Sequence, residues 1–125
     1  MRRNKRFKDQ LYQRCVRFTI DVIRLTSSLK LGYEYYGILK QLINSASSIG
    51  ANFAEGNGAV SRLEFIKFMN HSRKSALETL YWFDVIIKSN ILRKQSSVKK
   101  AKILKKECDE LTRIFSSIIL TSKKK

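Results

Sequence analysis

Proline is absent from the 125 residues. Its ring fixes φ and removes a backbone donor, so the commonest interruption of a helix is missing. Glycine is scarce: Gly32, Gly37, Gly50, Gly56 and Gly58 all lie in the first half, leaving the second half free to be helical. Only two cysteines occur, Cys15 and Cys108, and one histidine, His71. Two cysteines make no disulfide framework of the secreted kind. They read as inert core thiols in a reducing cytoplasm. A single histidine argues against the clustered Cys and His of a zinc site. It also argues against a di-iron bundle, which needs a Glu three residues before a His on paired helices; Phe68 occupies that place. No apolar run approaches the roughly 20 residues of a membrane span. The start MRRNKRFK is followed by LYQRCVRF, too polar for the core of a signal peptide.

Acidic residues are the last scarcity. There are 10 Asp and Glu against 26 Lys and Arg, a formal charge of +16. Five of the basic residues fall in positions 1–8 and three in 123–125, which read as a basic leader and tail around a folded unit at 9–122. That unit keeps 18 Lys and Arg against its 10 acids, a net +8. A basic body favours contact with a polyanion over a merely basic tail, the alternative being charge that serves solubility.

What is present is apolar periodicity. Leu11, Cys15, Phe18, Val22, Leu25 and Leu29 recur in steps of four and three, one face of a helix, with Asp9 as its expected N-cap and Gly32 as its stop. A second helix spans about 33–55 on Tyr35, Leu39, Leu42, Ala46, Ile49 and Phe53. Gly37 and Gly50 lie inside it, where glycine costs roughly 1 kcal/mol against alanine, so close helix–helix approach is expected there. Gly56-Asn57-Gly58 predicts left-handed or turn geometry. Ser61 and Glu64 form a capping box for a third helix over about 62–89. Its seam is Ile66, Met69, Arg73, Ala76, Leu80, Phe83 and Ile87, with a second stripe of Phe65, Phe68, Thr79, Trp82 and Ile86. A fourth helix over about 97–121 carries Ala101, Leu104, Cys108, Leu111, Phe115 and Ile118. Seven-residue spacing and short connections predict an all-α, antiparallel up-down-up-down four-helix bundle. In that order Cys15 lies near the start of its helix and Cys108 near the middle of its own, so the two are expected to be offset and unbridged.

No catalytic constellation assembles, and no cofactor or metal is implied. His71 has no orienting partner in the sequence. Gly56-Asn57-Gly58 follows a helix, not a strand, and lacks the lysine of a phosphate loop. Asn52, Glu55, Arg73 and Glu78 form a polar set on the middle helices. Arg73 interrupts an apolar seam and would need a partner if buried, with Glu55 and Glu78 as candidates. On the fourth helix Lys99, Lys102, Lys106 and Arg113 fall in one arc, with Lys94, Lys100 and Lys105 nearby. Such a stripe binds phosphates without reading bases. The apolar faces are wider than one bundle needs, through Tyr12 and Val16 on the first helix and Phe65, Phe68 and Trp82 on the third. They predict either a broad core or an interface in a homo-oligomer.

The run Ser48-Ile49-Gly50-Ala51-Asn52-Phe53-Ala54-Glu55-Gly56 resembles the signature of the bacterial four helix bundle protein family, also called the 23S ribosomal RNA intervening-sequence protein family. Ser61, Glu64-Phe65-Ile66, Ser75-Ala76, Glu78-Thr79 and Leu111-Thr112-Arg113-Ile114-Phe115 agree with it. Lys74 stands where that family often has glycine, and its usual Trp-x-x-Ala start of the first helix is missing. The resemblance implies a four-helix fold. Relatives serve as the accessory protein of diversity-generating retroelements, a barrel-like homopentamer that works with a reverse transcriptase and nucleic acid. Gly50, Asn52, Glu55, Ser75 and Glu78 match motif positions and look like packing residues. Taken together, the expectation is a non-enzymatic basic accessory protein that binds RNA or DNA, possible partner of a reverse transcriptase and pentameric by resemblance. The alternative is a protein-interaction scaffold.

Overall fold

The computed structural model describes residues 2–124, with the backbone alone for residues 2 and 3. Met1 and Lys125, at the ends of the expected leader and tail, lie outside the described residues. Four α-helices follow one another: α1 (Arg2–Ser28), α2 (Tyr36–Asn57), α3 (Arg62–Lys88) and α4 (Gln95–Lys123). A single 3₁₀ turn, Tyr33–Tyr35, leads into α2.

Pairings between the helices give their directions. Along α3, Ser72 and then Thr79 meet Ile49 and then Ser45 of α2, so the residue numbers run oppositely. Arg73 and Asp84 likewise meet Ser116 and Lys105 of α4. Arg14 of α1 meets Glu107 and Glu110 of α4, while Asp21 and Arg24 border a groove with Lys100 and Leu104. Each helix thus lies beside its sequence neighbours, α4 returns to α1, and the diagonals are α1 with α3 and α2 with α4. This is the expected four-helix bundle.

The core follows from the heptads. Leu11, Cys15, Phe18, Val22 and Leu25 of α1 are buried against Leu42, Ala46, Ile49 and Phe53 of α2 and Ala101, Cys108, Leu111 and Phe115 of α4. Two edge-to-face phenylalanine pairs cross the diagonals, Phe18–Phe83 at 6.4 Å and Phe53–Phe115 at 5.7 Å. Such pairs add about 1 kcal/mol beyond their buried area. In α3 the buried line is Met69, Ser72, Ala76, Thr79, Phe83 and Ile86, which runs between the two stripes expected from the sequence. Leu80 and Ile87 are only half-buried, because α3 faces α2 on one side and α4 on the other.

Close approach explains the small residues. A Cβ on Gly50 would stand 2.9 Å from the Cβ of Cys15, so α1 and α2 touch nearly backbone to backbone there. Gly37 has nothing within 4 Å of its missing Cβ, and close packing does not account for it. Gly56 is buried inside the last turn of α2, where a Cβ would strike Met69 and Phe68. No glycine among the described residues has positive φ. Of the two geometries expected at Gly56 to Gly58, the turn forms and the left-handed one does not: α2 runs to Asn57, and the Gly58 amide donates to the carbonyls of Glu55 and Gly56. The left-handed position falls instead at Asn90, φ 62°, just beyond the end of α3, where asparagine is the next choice after glycine.

The start of the first helix also differs from expectation. Asp9 does not cap it; α1 is continuous from Arg2, so the described part of the basic leader is its first two turns. Nothing between Arg2 and Asp9 breaks a helix, since neither glycine nor proline occurs there.

Candidate nucleic-acid interface

The lysine stripe of α4 divides in the structure. Lys94, Lys99, Lys102 and Lys106 are exposed, and no ion pair to any of them occurs among the described residues. Lys99, Lys102 and Lys106 border one shallow groove with Gln95, Val98 and Ile103. Lys105 points elsewhere: its Nζ lies 2.5 Å from Oδ1 of Asp84 on α3. That hydrogen bond, with the lysine's charge, holds the Asp84 carboxyl below its usual range. Arg113 is paired within its own helix to Asp109 at 3.0 Å, although its side chain is 79% exposed. The candidate surface therefore contracts to Lys94, Lys99, Lys102 and Lys106; Lys105 is engaged by α3, and Arg113 lies about two turns beyond Lys106, past the acids of α4.

Sequence and fold together concentrate the charge. From Val85 to Lys106 the chain has eight basic residues and no acidic one. The three acids of α4, Glu107, Asp109 and Glu110, all come later, and each is paired. Arg14 forks onto Glu107, Nε to Oε2 at 2.6 Å and Nη2 to Oε1 at 2.7 Å, and also reaches Glu110. Bidentate geometry of this kind is the stronger form of arginine–carboxylate contact. It raises the affinity of the guanidinium for its proton still further. Acid and base cancel across the lower half of the α1–α4 seam, and the upper half stays positive.

The polar set of the middle helices does not give Arg73 the carboxylate partner expected from Glu55 or Glu78. Arg73 is half-buried and its Nε donates to Ser116 Oγ at 2.9 Å, so its partner lies on α4. Glu55 is exposed at the end of α2. Glu78 is exposed and accepts from Trp82 Nε1 at 3.1 Å, one turn along α3. Asn52 donates to the Ser48 carbonyl at 2.9 Å, and the Ser75 carbonyl accepts from Thr79 Oγ1 at 2.7 Å. These are contacts within helices, and no charged pair joins Arg73 to Glu55 or Glu78. The sequence reading missed Ser116 because a serine among apolar neighbours carries no sign of its partner.

The two cysteines are free and buried. They are not offset as expected. Arg14 to Glu107 sets the register of α1 on α4, which brings Cys15 level with Cys108. The expected start of α1 was too late, and Cys15 lies near the middle of the helix. The thiols still face different neighbours: Cys15 packs on Gly50 of α2, and Cys108 Sγ donates to the Ala76 carbonyl of α3 at 3.2 Å. Burial pushes both thiols up to about 12, so they stay protonated and weakly nucleophilic. His71 is exposed and rests edge-on to Phe68. No group of three or more His, Cys, Asp or Glu among the described residues could hold a metal ion. No described helix is long and apolar enough to cross a membrane.

The expected interface residues do not share one face. Tyr12 is exposed and Val16 half-buried, on the side of α1 away from Arg14 and α4. Phe68 and Trp82 are half-buried on α3, Phe68 against Gly56 of α2. Phe65 turns the other way, under Lys8 of α1, whose Nζ is 6.0 Å from the ring centroid.

Known proteins bear on this arrangement. The fold is similar to a solved structure from Bacteroides thetaiotaomicron, a protein of unknown function from the S23 ribosomal protein family. The TM-score is 0.79 and the identity 26%, over 90% of this chain and 96% of that one. No curated protein matches the chain. A family model described as 23S rRNA-intervening sequence protein matches residues 8–117, which takes in α2 and α3 whole, most of α1 and α4, the signature run through Gly50 and Gly56, and the lysine stripe. The chain belongs to the 23S rRNA-intervening sequence protein family.

Proposed function

We propose that this protein is a non-enzymatic accessory protein that binds RNA or DNA through the upper half of α4. The observation that supports this most is the stretch from Val85 to Lys106, eight basic residues with no acid, of which Lys94, Lys99, Lys102 and Lys106 are exposed and outside any described ion pair. Polyanion binding by such a face is electrostatic and falls with salt, by a slope of about 0.9 per neutralised phosphate on duplex DNA and about 0.7 on single strands. The test is a salt series with structured RNA, single-stranded DNA and duplex DNA, on the wild type and on a Lys99→Glu, Lys102→Glu, Lys106→Glu variant. A slope lower by about 2 to 3 in the variant supports the surface. Unchanged affinity and slope remove it.

Self-association belongs to the same proposal. From Gln41 to Ala54 the second helix carries no charge, and it exposes Asn44, Ala51 and Ala54. Chains of charge +16 associate most readily where charge is absent. Partnership with a reverse transcriptase and a ring of five subunits, both implied by the resemblance, complete the proposal. Light scattering and co-purification with a neighbouring reverse transcriptase check them. A second reading, a scaffold for a protein partner, draws on Leu63, Leu77 and Tyr81, large apolar side chains exposed on α3. Nucleic-acid binding that vanishes by physiological salt, with no preference among the three ligands, favours that scaffold.

A further inference from the structure

At the end of the bundle away from the lysine-rich turn, α1, α3 and α4 stand apart and leave a cleft of about 760 Å³. Pockets of this size take small ligands. Phe7, Phe65 and Ile118 give it an apolar lining. Lys8, Arg62 and Arg113 supply the ionisable groups around it, all cationic, and among the described residues no carboxylate lines it. The nearest acid on α4, Asp109, engages Arg113 from one turn away. One wall is polar but neutral, through Ser117 and Ser122 of α4. The hydroxyls of Thr19, Thr26, Ser45 and Thr112 are turned back onto carbonyls of their own helices. No such bond involves the Ser117 or Ser122 hydroxyl among the described residues.

Three chemistries meet in one cleft, and together they narrow the ligand. An inorganic anion has no use for phenylalanine. An alkyl chain with one acidic head leaves the hydroxyl wall unused. A duplex keeps its base faces inside its own stack. An unpaired nucleotide presents a flat π-face, a polar edge and a phosphate at once, and of the ligands consistent with a nucleic-acid-binding chain it uses all three. We propose that this cleft holds one unpaired nucleotide of a bound strand. The base lies against Phe7 and Phe65, its edge meets Ser117 and Ser122, and its phosphate meets Lys8 and Arg113. The proposal rests on the nucleic-acid reading above and adds a second contact, at the opposite end of the bundle, that selects single strands.

Two measurements on the full chain test it. Isotope-labelled protein is titrated with a nucleoside 5′-monophosphate and, separately, with inorganic phosphate. The expected shifts cluster around Phe7, Phe65 and Ser117 with the nucleotide, and phosphate alone does not reproduce them. Phosphate that gives the same shifts, or a nucleotide that gives none, overturns the proposal. In the second measurement, a short single strand and a blunt duplex are compared on the wild type, Ser117→Trp, which fills the cleft, and Ser122→Glu, which repels the phosphate. Ser117 is exposed, Ser122 half-buried, and circular dichroism confirms each fold. Single-strand affinity should fall roughly tenfold in both, as expected for loss of one stacked base, with duplex affinity unchanged. Unchanged single-strand affinity in both variants overturns the proposal. The Lys99, Lys102, Lys106 variant separates the two sites: if it binds as before while the nucleotide shifts persist, the α4 surface fails and the cleft stands. If it loses binding while the shifts are absent, the cleft fails and the surface stands.

Discussion

Replacing Gly50 with alanine sets two effects of opposite sign against each other. Alanine in a helix interior is more favourable than glycine by about 1 kcal/mol. Against this, the new methyl would stand 2.9 Å from Cys15 Cβ, with the Cys15 carbonyl carbon at 3.9 Å and Cα at 4.0 Å. A Cβ cannot swing aside as the tip of a flexible chain can, so α1 and α2 must part. Overpacking of a close-packed core costs about 1–3 kcal/mol, and the net expectation for Gly50→Ala is a loss of roughly 1 kcal/mol. Gly37→Ala is the control. It lies in the first turns of the same helix with nothing within 4 Å, so it keeps the propensity gain and should stabilise by roughly 0.5–1 kcal/mol. Urea unfolding followed by circular dichroism reads both as shifts of midpoint at constant slope. If Gly50→Ala stabilises as much as Gly37→Ala, the close approach of α1 and α2 at this level is wrong, and so is the reading of Gly50 as a packing residue.

Further consequences follow from the same contacts. Arg14→Ala removes the fork onto Glu107 and leaves two carboxylates adjacent; with Arg14 36% and Glu107 26% exposed, solvent screening holds the loss to about 1 kcal/mol, measured by thermal unfolding at low salt and shrinking as salt is added. Lys105→Gln should cost less than about 1 kcal/mol and leave the salt slope of nucleic-acid binding nearly unchanged, because its charge is already engaged by Asp84; a loss as large as that of Lys102→Gln contradicts the division of the stripe. Burial raises both thiols from 9.0 to about 12, so between those values the unfolded chain releases protons that the folded chain retains. Stability from this source is complete below pH 9 and falls as pH rises towards 12; a Cys15→Ala, Cys108→Ala variant should show a flatter alkaline limb in urea midpoints. The same burial predicts slow reaction with a thiol reagent at pH 8 in the native protein and rapid reaction of both thiols in urea.

The helices were legible because each carries an apolar heptad and nothing competes with it. The capping box was legible for a local reason: Glu64 N–H donates to Ser61 Oγ at 3.1 Å, and the Glu64 carboxylate accepts from Val60 N–H at 3.1 Å. Contacts between helices were harder to read. Arg73 and its partner Ser116 are 43 residues apart, and a heptad fixes which face is inward without fixing height along a neighbour. The expected offset of the cysteines failed in the same way. Height depended on where α1 begins, and the charge of positions 2–8 hid a helical start. Phe7 and Leu11, one turn apart, carried that signal. In α3 two stripes competed, and the buried line took members of the second, Thr79 and Ile86, since α2 and α4 flank it on both sides. The lysine stripe was legible as charge. Which lysines remain available was not, because Asp84 lies on another helix from Lys105.

The placement of the acids is the step that joins fold to function. α4 has to hold α1 at a seam where the two helices meet more sparsely than the other neighbours do. It does so with Glu107 and Glu110 on Arg14, which uses up two of its three carboxylates in the middle of the bundle. The third, Asp109, takes Arg113. Above these pairs the helix has only lysine to offer; below them the seam opens into the cleft. A substitution that moves an acid upward, such as Ile103→Glu with Glu110→Gln, keeps the net charge at +16, since one carboxylate is gained and one lost, and keeps the Arg14–Glu107 fork. If binding followed total charge, this pair would leave affinity for duplex DNA unchanged. If it follows the local field of Lys99, Lys102 and Lys106, whose groove Ile103 shares, affinity should fall by several-fold with stability nearly constant, since Ile103 is 58% exposed. An unchanged salt slope in this variant would refute the argument that the location of the acids, rather than the sum of charges, makes the surface.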